Sequence, residues 1–210
     1  MDDQYWSTVR TMRMEFADFL DTLSAQQWDA ASLCAGWRVR DVVGHVSVVP
    51  RVTARQMLAV APRARFDING INMLIGIQEG QRDPQELVAL LRRHAADRIP
   101  SRPVPDPRNL LFDLIVHGQD VARPLGRDLP VAAAQAQQGL ERVWAMGWRF
   151  RARTRLGGLS LRATDTHWAA GTGPEVTGST LALLLLATGR TTAVLDELHG
   201  PGVRGLASAA

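Results

Sequence analysis

The apolar residues of this chain recur at helical intervals for about 150 residues and then switch to the alternation of strands, and this change of period constrains the fold more than any other feature. Over residues 3–24, Trp6, Val9, Met12, Phe16, Phe19, Leu20 and Leu23 are separated by Arg10, Arg13, Asp18 and Asp21, which predicts a long amphipathic helix ending near Ser24. Ser32 to Trp37 reads as a loop leading into a second helix over about 39–60, kinked at Pro50, and a shorter helix is expected over 68–79. Asp83-Pro84-Gln85-Glu86 signals a helix start, with Asp83 as N-cap and Pro84 at the first helical position, where its missing N–H costs nothing. That helix is expected to run to about Arg98. A proline-rich connection, Pro100 to Pro107, then leads to helices over 108–122 and about 131–149. Beyond it Leu159, Leu161 and Ala163 alternate with Ser160, Arg162 and Thr164, and Trp168 to Val176 reads as the return strand of a hairpin. Two short helices, about 179–187 and 191–198, precede a Gly- and Ala-rich tail. The expected architecture is mainly α: a helical bundle over 1–150 followed by a small α+β C-terminal domain over 151–210.

Composition narrows the functional classes. A chain of 210 residues, 46% hydrophobic, can bury roughly 70% of the surface its unfolded form exposes, so no metal or disulfide is needed merely to hold it together. A bound metal would therefore serve chemistry. All 24 basic residues are arginine, which excludes Schiff-base chemistry and the lysine of a phosphate-binding loop. The pI of about 10.2 suggests a nucleic-acid binder, yet the net charge is only +3. With no lysine and single Tyr and Cys residues, almost nothing loses a proton between about pH 8 and 12, so a small excess of arginine inflates the pI. The 21 acidic residues are interspersed with the arginines, and no nucleic-acid partner is expected.

Cys34, the single cysteine, rules out an intrachain disulfide and a multi-cysteine metal site. Met1-Asp2-Asp3-Gln4 lacks the basic and apolar regions of a secretory signal, and the longest apolar run, Leu181 to Ala187, falls far short of the ~20 residues that span a bilayer. The expectation is a cytoplasmic protein, monomer or homodimer, with no membrane partner.

Common catalytic signatures are missing: there is no G-x-S-x-G, H-E-x-x-H or G-x-G-x-x-G between strand and helix. The histidines carry the remaining signal. His117 follows Asp113 by four residues, so both project from one helical face, which also carries Leu110, Leu114 and Val121. His45 lies among Val42, Val43, Val46 and Val49 and should also look inward. Two histidines and a carboxylate converging from two helices would make a three-ligand site with an open position, the pattern of catalytic zinc. The spacing is equally met by an Asp113–His117 hydrogen-bonded pair with His45 as a satisfied core histidine.

The run Cys34-Ala35-Gly36-Trp37-Arg38-Val39-Arg40-Asp41-Val42-Val43-Gly44-His45 resembles a signature of the mycothiol-dependent maleylpyruvate isomerase family, part of the wider DinB-like metalloprotein group. Asp113-Leu114-Ile115-Val116-His117-Gly118-Gln119-Asp120-Val121-Ala122-Arg123-Pro124-Leu125-Gly126 resembles its second signature. Ala163 to Trp168 and Leu184 to Arg190 are similar, more loosely, to the small C-terminal domain of that family. The resemblance implies a DinB-like four-helix bundle holding a divalent metal, usually zinc, with mycothiol as thiol cofactor. It implies His45, Asp113 and His117 as metal ligands and Arg190 as the catalytic-site arginine, suited by its planar fork to a small, anionic, electrophilic substrate. The family usually has Glu where this chain has Asp113, one methylene shorter.

Four other positions are read from the same motifs. Trp37 is expected to plug the start of the second helix. Arg38, where the family often has Ser or Thr as N-cap, predicts a weaker helix start. Cys34 is read as a buried small hydrophobe, and Asp120 as a residue that orients a histidine or braces the helix end. Arg149, Arg151, Arg153 and Arg155 read as a solvated face that could line an anionic entrance. The implied chemistry is thiolate addition to an electrophilic carbon, giving cis-trans isomerisation or thiol transfer; the alternative is a non-catalytic metal-binding or interaction protein that keeps the bundle.

Overall fold

The computed structural model describes residues 2–99, 106–147 and 150–207; most of the expected proline-rich connection, Arg149 and the end of the tail lie outside the described residues. The chain is mainly α with one small sheet, as the change of period predicts. Helix α1 spans Asp3–Asp21, with the Asp2 carboxylate accepting the Tyr5 N–H at 2.9 Å. Ser24, expected as its end, instead caps a new turn, α2 (Ala25–Trp28), by reciprocal bonds with Gln27. The helix expected over 39–60 is broken rather than kinked. It divides into α3 (Val39–Val48) and α4 (Ala54–Val60), because Pro50 has no N–H to donate and Thr53 caps a fresh start. Helix α5 (Ile68–Glu79) follows as expected.

Helix α6 (Pro84–Arg93) opens at the Asp83 cap but stops short of Arg98. The reason is Arg13 of α1, only 3% exposed, whose Nη1 donates to the carbonyls of His94, Ala95 and Asp97 at 3.1–3.2 Å. Those carbonyls are satisfied by a guanidinium, so the chain can turn away there. Burial pushes the Arg13 pKa down, against the opposing pull of Asp97. Helix α7 (Leu110–Ala122) begins after a 3₁₀ turn at Pro107–Asn109, and α8 spans Ala133–Ala145.

Two compact units result. The first holds residues 1–110 and 117–129, the second 111–116 and 130–210. Division by compactness thus differs from the division at residue 150 read from periodicity: α8 and the first half of α7 belong with the C-terminal elements. In the second unit, α9 (Ala152–Leu156) precedes strand β1 (Ser160–Ala163), which has β2 (Ala169–Ala170) antiparallel on one side and β3 (Glu175–Gly178) parallel on the other. The expected hairpin is therefore only two residues deep. Beyond it, Gly171 and Gly173, both at positive φ, carry the chain so close over Gly158 and Leu159 that any Cβ would collide with their carbonyl oxygens. The apolar run becomes α10 (Thr180–Ala187), buried and packed on α8, with Gly139 of α8 admitting Leu184 and Phe112. Helices α11 (Thr191–Val194) and α12 (Val203–Ala207) close the described chain. No helix is long and apolar enough to cross a membrane among the described residues.

In the first unit the closest helix contact is between α3 and α5. A Cβ on Gly44 would lie 2.5 Å from Gly80 N and 2.6 Å from Gly76 O. Arg40 of α3 reinforces this approach by donating to the carbonyls of Gly80 (2.6 Å) and Arg82 (2.9 Å). Beside them, burial would push the Glu79 carboxyl up, but hydrogen bonds from Arg51 (2.5 Å) and Arg82 (2.8 Å) outweigh it and hold its pKa below the ordinary 4.5.

Gly44→Ala should destabilise the protein by about 1–3 kcal/mol in urea unfolding, because both neighbours of the new methyl are backbone atoms that cannot rotate away. For Glu79 the pH dependence has a fixed sign. Its contribution is fully present above the ordinary 4.5 and disappears as pH falls through the lower folded value. Glu79→Gln should therefore cost stability at neutral pH, with the gap to wild type narrowing as unfolding is measured at successively more acidic pH.

Candidate metal centre

His45 sits in α3 with Val42 and Val43 fully buried around it and is itself 7% exposed. Its helix lacks a side-chain N-cap at Arg38, as expected, but is not left open. Asp41 reaches back to accept the Arg38 N–H at 3.0 Å and pairs with the Arg38 guanidinium through Nε and Nη2, both at 3.2 Å. The cap thus comes from the third residue of the helix. Asp113 and His117 lie one turn apart on α7.

The His45 and His117 rings meet edge to face with centroids 5.0 Å apart. Trp37, 8% exposed, forms a wall to both, at 5.5 Å from His45 and 6.1 Å from His117. Its six-membered ring lies on Gly76 of α5, where a Cβ would come within 3.0 Å of Cζ2. Trp37 is therefore the plug the sequence suggests and also a buttress for the histidines, with its indole N–H buried and lacking an acceptor among the described residues.

One ligand atom from each of His45, Asp113 and His117 falls within 4.8 Å of the others. Four-coordinate zinc with bonds of about 2.0–2.2 Å holds neighbouring ligand atoms roughly 3–4 Å apart, so small side-chain adjustments would close this set around an ion. Two imidazoles and one carboxylate are also the right donor chemistry for a borderline cation. The residues fit a divalent metal.

His117 takes part in a second arrangement. Its Nδ1 lies 2.9 Å from Oδ2 of Asp120, a carboxylate with no exposed surface. A carboxylate only accepts, so the proton sits on Nδ1 and the Nε2 lone pair is left to face a ligand. Asp120 thus orients a histidine, as the sequence reading has it. Cys34 departs from its expectation as a buried small hydrophobe: it is only half-buried, and its thiol donates to Asp120 Oδ2 at 3.0 Å and lies 3.7 Å from His117 Nδ1. The sequence carried no sign of this, because both partners are more than 80 residues away.

Arg190 lies in the second unit at the start of α11, half-buried, and donates to the Thr188 carbonyl at 2.8 Å. The arginines expected as a solvated face divide. Arg149 lies outside the described residues, Arg151 and Arg153 are exposed, and Arg155 donates to the Leu186 and Ala187 carbonyls at the end of α10, with its pKa lowered by burial. Arg155, exposed like the other two, thus also caps the end of α10.

Residues 9–101 match the mycothiol maleylpyruvate isomerase N-terminal domain. The fold matches the crystal structure of a mycothiol-dependent maleylpyruvate isomerase with a TM-score of 0.60 at 16% identity, covering 95% of this chain and 92% of that one. A histidine-to-alanine mutant of the mycothiol-dependent maleylpyruvate isomerase matches with a TM-score of 0.59 at 15% identity over the same shares. At such identities the likeness is one of fold. No curated protein matches the sequence.

If Asp120 sets the His117 tautomer, Asp120→Ala should weaken metal retention by about 10- to 100-fold, read by competition with a chromophoric chelator.

Proposed function

We propose that the chain, whose residues 9–101 match the mycothiol maleylpyruvate isomerase N-terminal domain, is a metal- and mycothiol-dependent enzyme acting on a small, anionic electrophile. The observation that carries the reading is the convergence of His45, Asp113 and His117 within 4.8 Å. A divalent ion held by these residues, with zinc the favoured choice, would carry net positive charge beside neutral imidazoles and one carboxylate, act as a Lewis acid and keep a thiol ionised near neutral pH. The chain supplies the rest. His45 and His117 would supply ring nitrogens, Asp120 orients one of them, and Trp37 walls one side of the pair.

The chemistry follows from what the chain lacks. It has no lysine, and its one cysteine is engaged with a buried carboxylate, so the nucleophile is taken to be the thiol of the cofactor. A thiol cofactor bound there would supply the nucleophile for reversible addition to a cis double bond conjugated with a carbonyl, the chemistry of cis-trans isomerisation, or of thiol transfer where the addition is not reversed. Arg190 is assigned the substrate carboxylate, which its guanidinium can pair at two oxygens.

The test is metal analysis of wild type, His45→Ala and His117→Ala, followed by thiol titration of the metal-loaded protein. Wild type should carry about one equivalent of metal and both variants should lose most of it. Full metal content in the variants overturns the site. A loaded wild type that binds no low-molecular-weight thiol overturns the enzyme reading in favour of a non-catalytic metal-binding protein.

A further inference from the structure

The loop before α3 and the last turn of α7 are joined at one buried carboxylate. Cys34-Ala35-Gly36-Trp37 forms a tight turn, closed by the Trp37 N–H to the Cys34 carbonyl at 3.0 Å, with Gly36 at the positive φ that this type of turn requires. Ser32 stiffens it: its hydroxyl accepts the Cys34 N–H at 3.1 Å and donates to the Trp37 carbonyl at 2.9 Å. The turn thereby presents two side chains to His117 at once, the Trp37 ring and the Cys34 thiol. A neighbouring backbone bond, from the Leu33 N–H to the Asp120 carbonyl at 3.0 Å, ties the loop to the same residue of α7.

From this geometry we propose that Cys34 is a positioning residue for the metal centre, acting on His117 through Asp120. Oδ2 of Asp120 receives the Cys34 S–H at 3.0 Å and the His117 Nδ1–H at 2.9 Å. Asp120 has no exposed surface, so water cannot replace either donor freely, and the orientation of its carboxylate depends on both. With the thiol in place, Oδ2 is held in the plane that His117 meets. With the thiol removed, the carboxylate can rotate and the imidazole loses its fixed tautomer, which a metal reads as a ligand of the wrong lone pair. This role is distinct from attack on substrate and from metal ligation, for which Cys34, His117 and Asp120 also offer atoms within 4.8 Å of one another. The role is specific to a donor at this position, which distinguishes it from simple filling of space.

The metal arm of the inference rests on the proposed metal site, while the tautomer arm does not. The experiment compares wild type, Cys34→Ser, Cys34→Ala, Asp120→Ala and the Cys34→Ala/Asp120→Ala double variant in two readouts. The first is zinc affinity by chelator competition. Cys34→Ala should weaken it about 10-fold, Cys34→Ser should stay within about 3-fold of wild type because a hydroxyl still donates, and the double variant should be no weaker than Asp120→Ala alone. The second is the ring ¹⁵N spectrum of His117 in metal-free protein. Wild type and Cys34→Ser should show one tautomer with the proton on Nδ1, and Cys34→Ala a mixture.

Equal behaviour of Cys34→Ala and wild type in both readouts overturns the proposal. So does loss of affinity in Cys34→Ser equal to that in Cys34→Ala, which marks Cys34 as a ligand or as mere packing. Wild type that binds no zinc removes the metal site, and the ¹⁵N spectra of the metal-free proteins then decide the role of Cys34 alone.

Discussion

The close approach of α3 to α5 is the constraint on which the site depends. Gly44 places backbone against the backbone of Gly76 and Gly80, and nothing larger than a hydrogen fits there. Two consequences follow from one contact. The neighbouring residue on α3, His45, is carried at a fixed height beside α5, and Gly76 is left bare so that the Trp37 ring can lie flat on the helix. Arg40 and the Glu79 cluster then lock the far end of α5 through charge-assisted hydrogen bonds, which are stronger and shorter than neutral ones. A ligand histidine, its aromatic wall and the ion-pair network are thus three results of one glycine-lined seam.

The sequence makes the helices legible where apolar period and capping agree. Asp83-Pro84 starts α6 where it should, and Ile68–Glu79 matches its expected range. It fails where a long-range contact decides. Nothing near residue 93 announces that Arg13, about 80 residues earlier, will hold the carbonyls of His94, Ala95 and Asp97 just past the end of α6. The parallel pairing of β3 is hidden in the same way: Trp168 to Val176 reads as one return strand broken by Gly171 and Gly173, whereas those glycines let the chain cross over Gly158 and Leu159. Pro50 was legible as a disruption, and its severity depended on whether Thr53 could cap a new helix.

At the site, Asp113 and His117 were readable because one helix carries both, and His45 because its helix is apolar all around it. Cys34 was not readable. Its partners come from α7, and a cysteine between Leu33 and Ala35 looks like any other small core residue. The turn that Cys34-Ala35-Gly36-Trp37 forms explains the residue types: Gly36 for the positive φ, Trp37 for the wall, and Cys34 for the donor that faces Asp120.

His117 is where these parts meet. One ring nitrogen is committed to Asp120, and through it to the loop that starts α3; the other is left for the set made with His45 and Asp113. Asp113 is one methylene shorter than glutamate, so its carboxylate reaches less far from α7. On the histidine side, His117 is gripped by a carboxylate without exposed surface, and both rings are flanked by a tryptophan seated on glycine. The short acidic arm of the set thus stands against two histidines held rigid by a loop and a helix seam that lie outside the set.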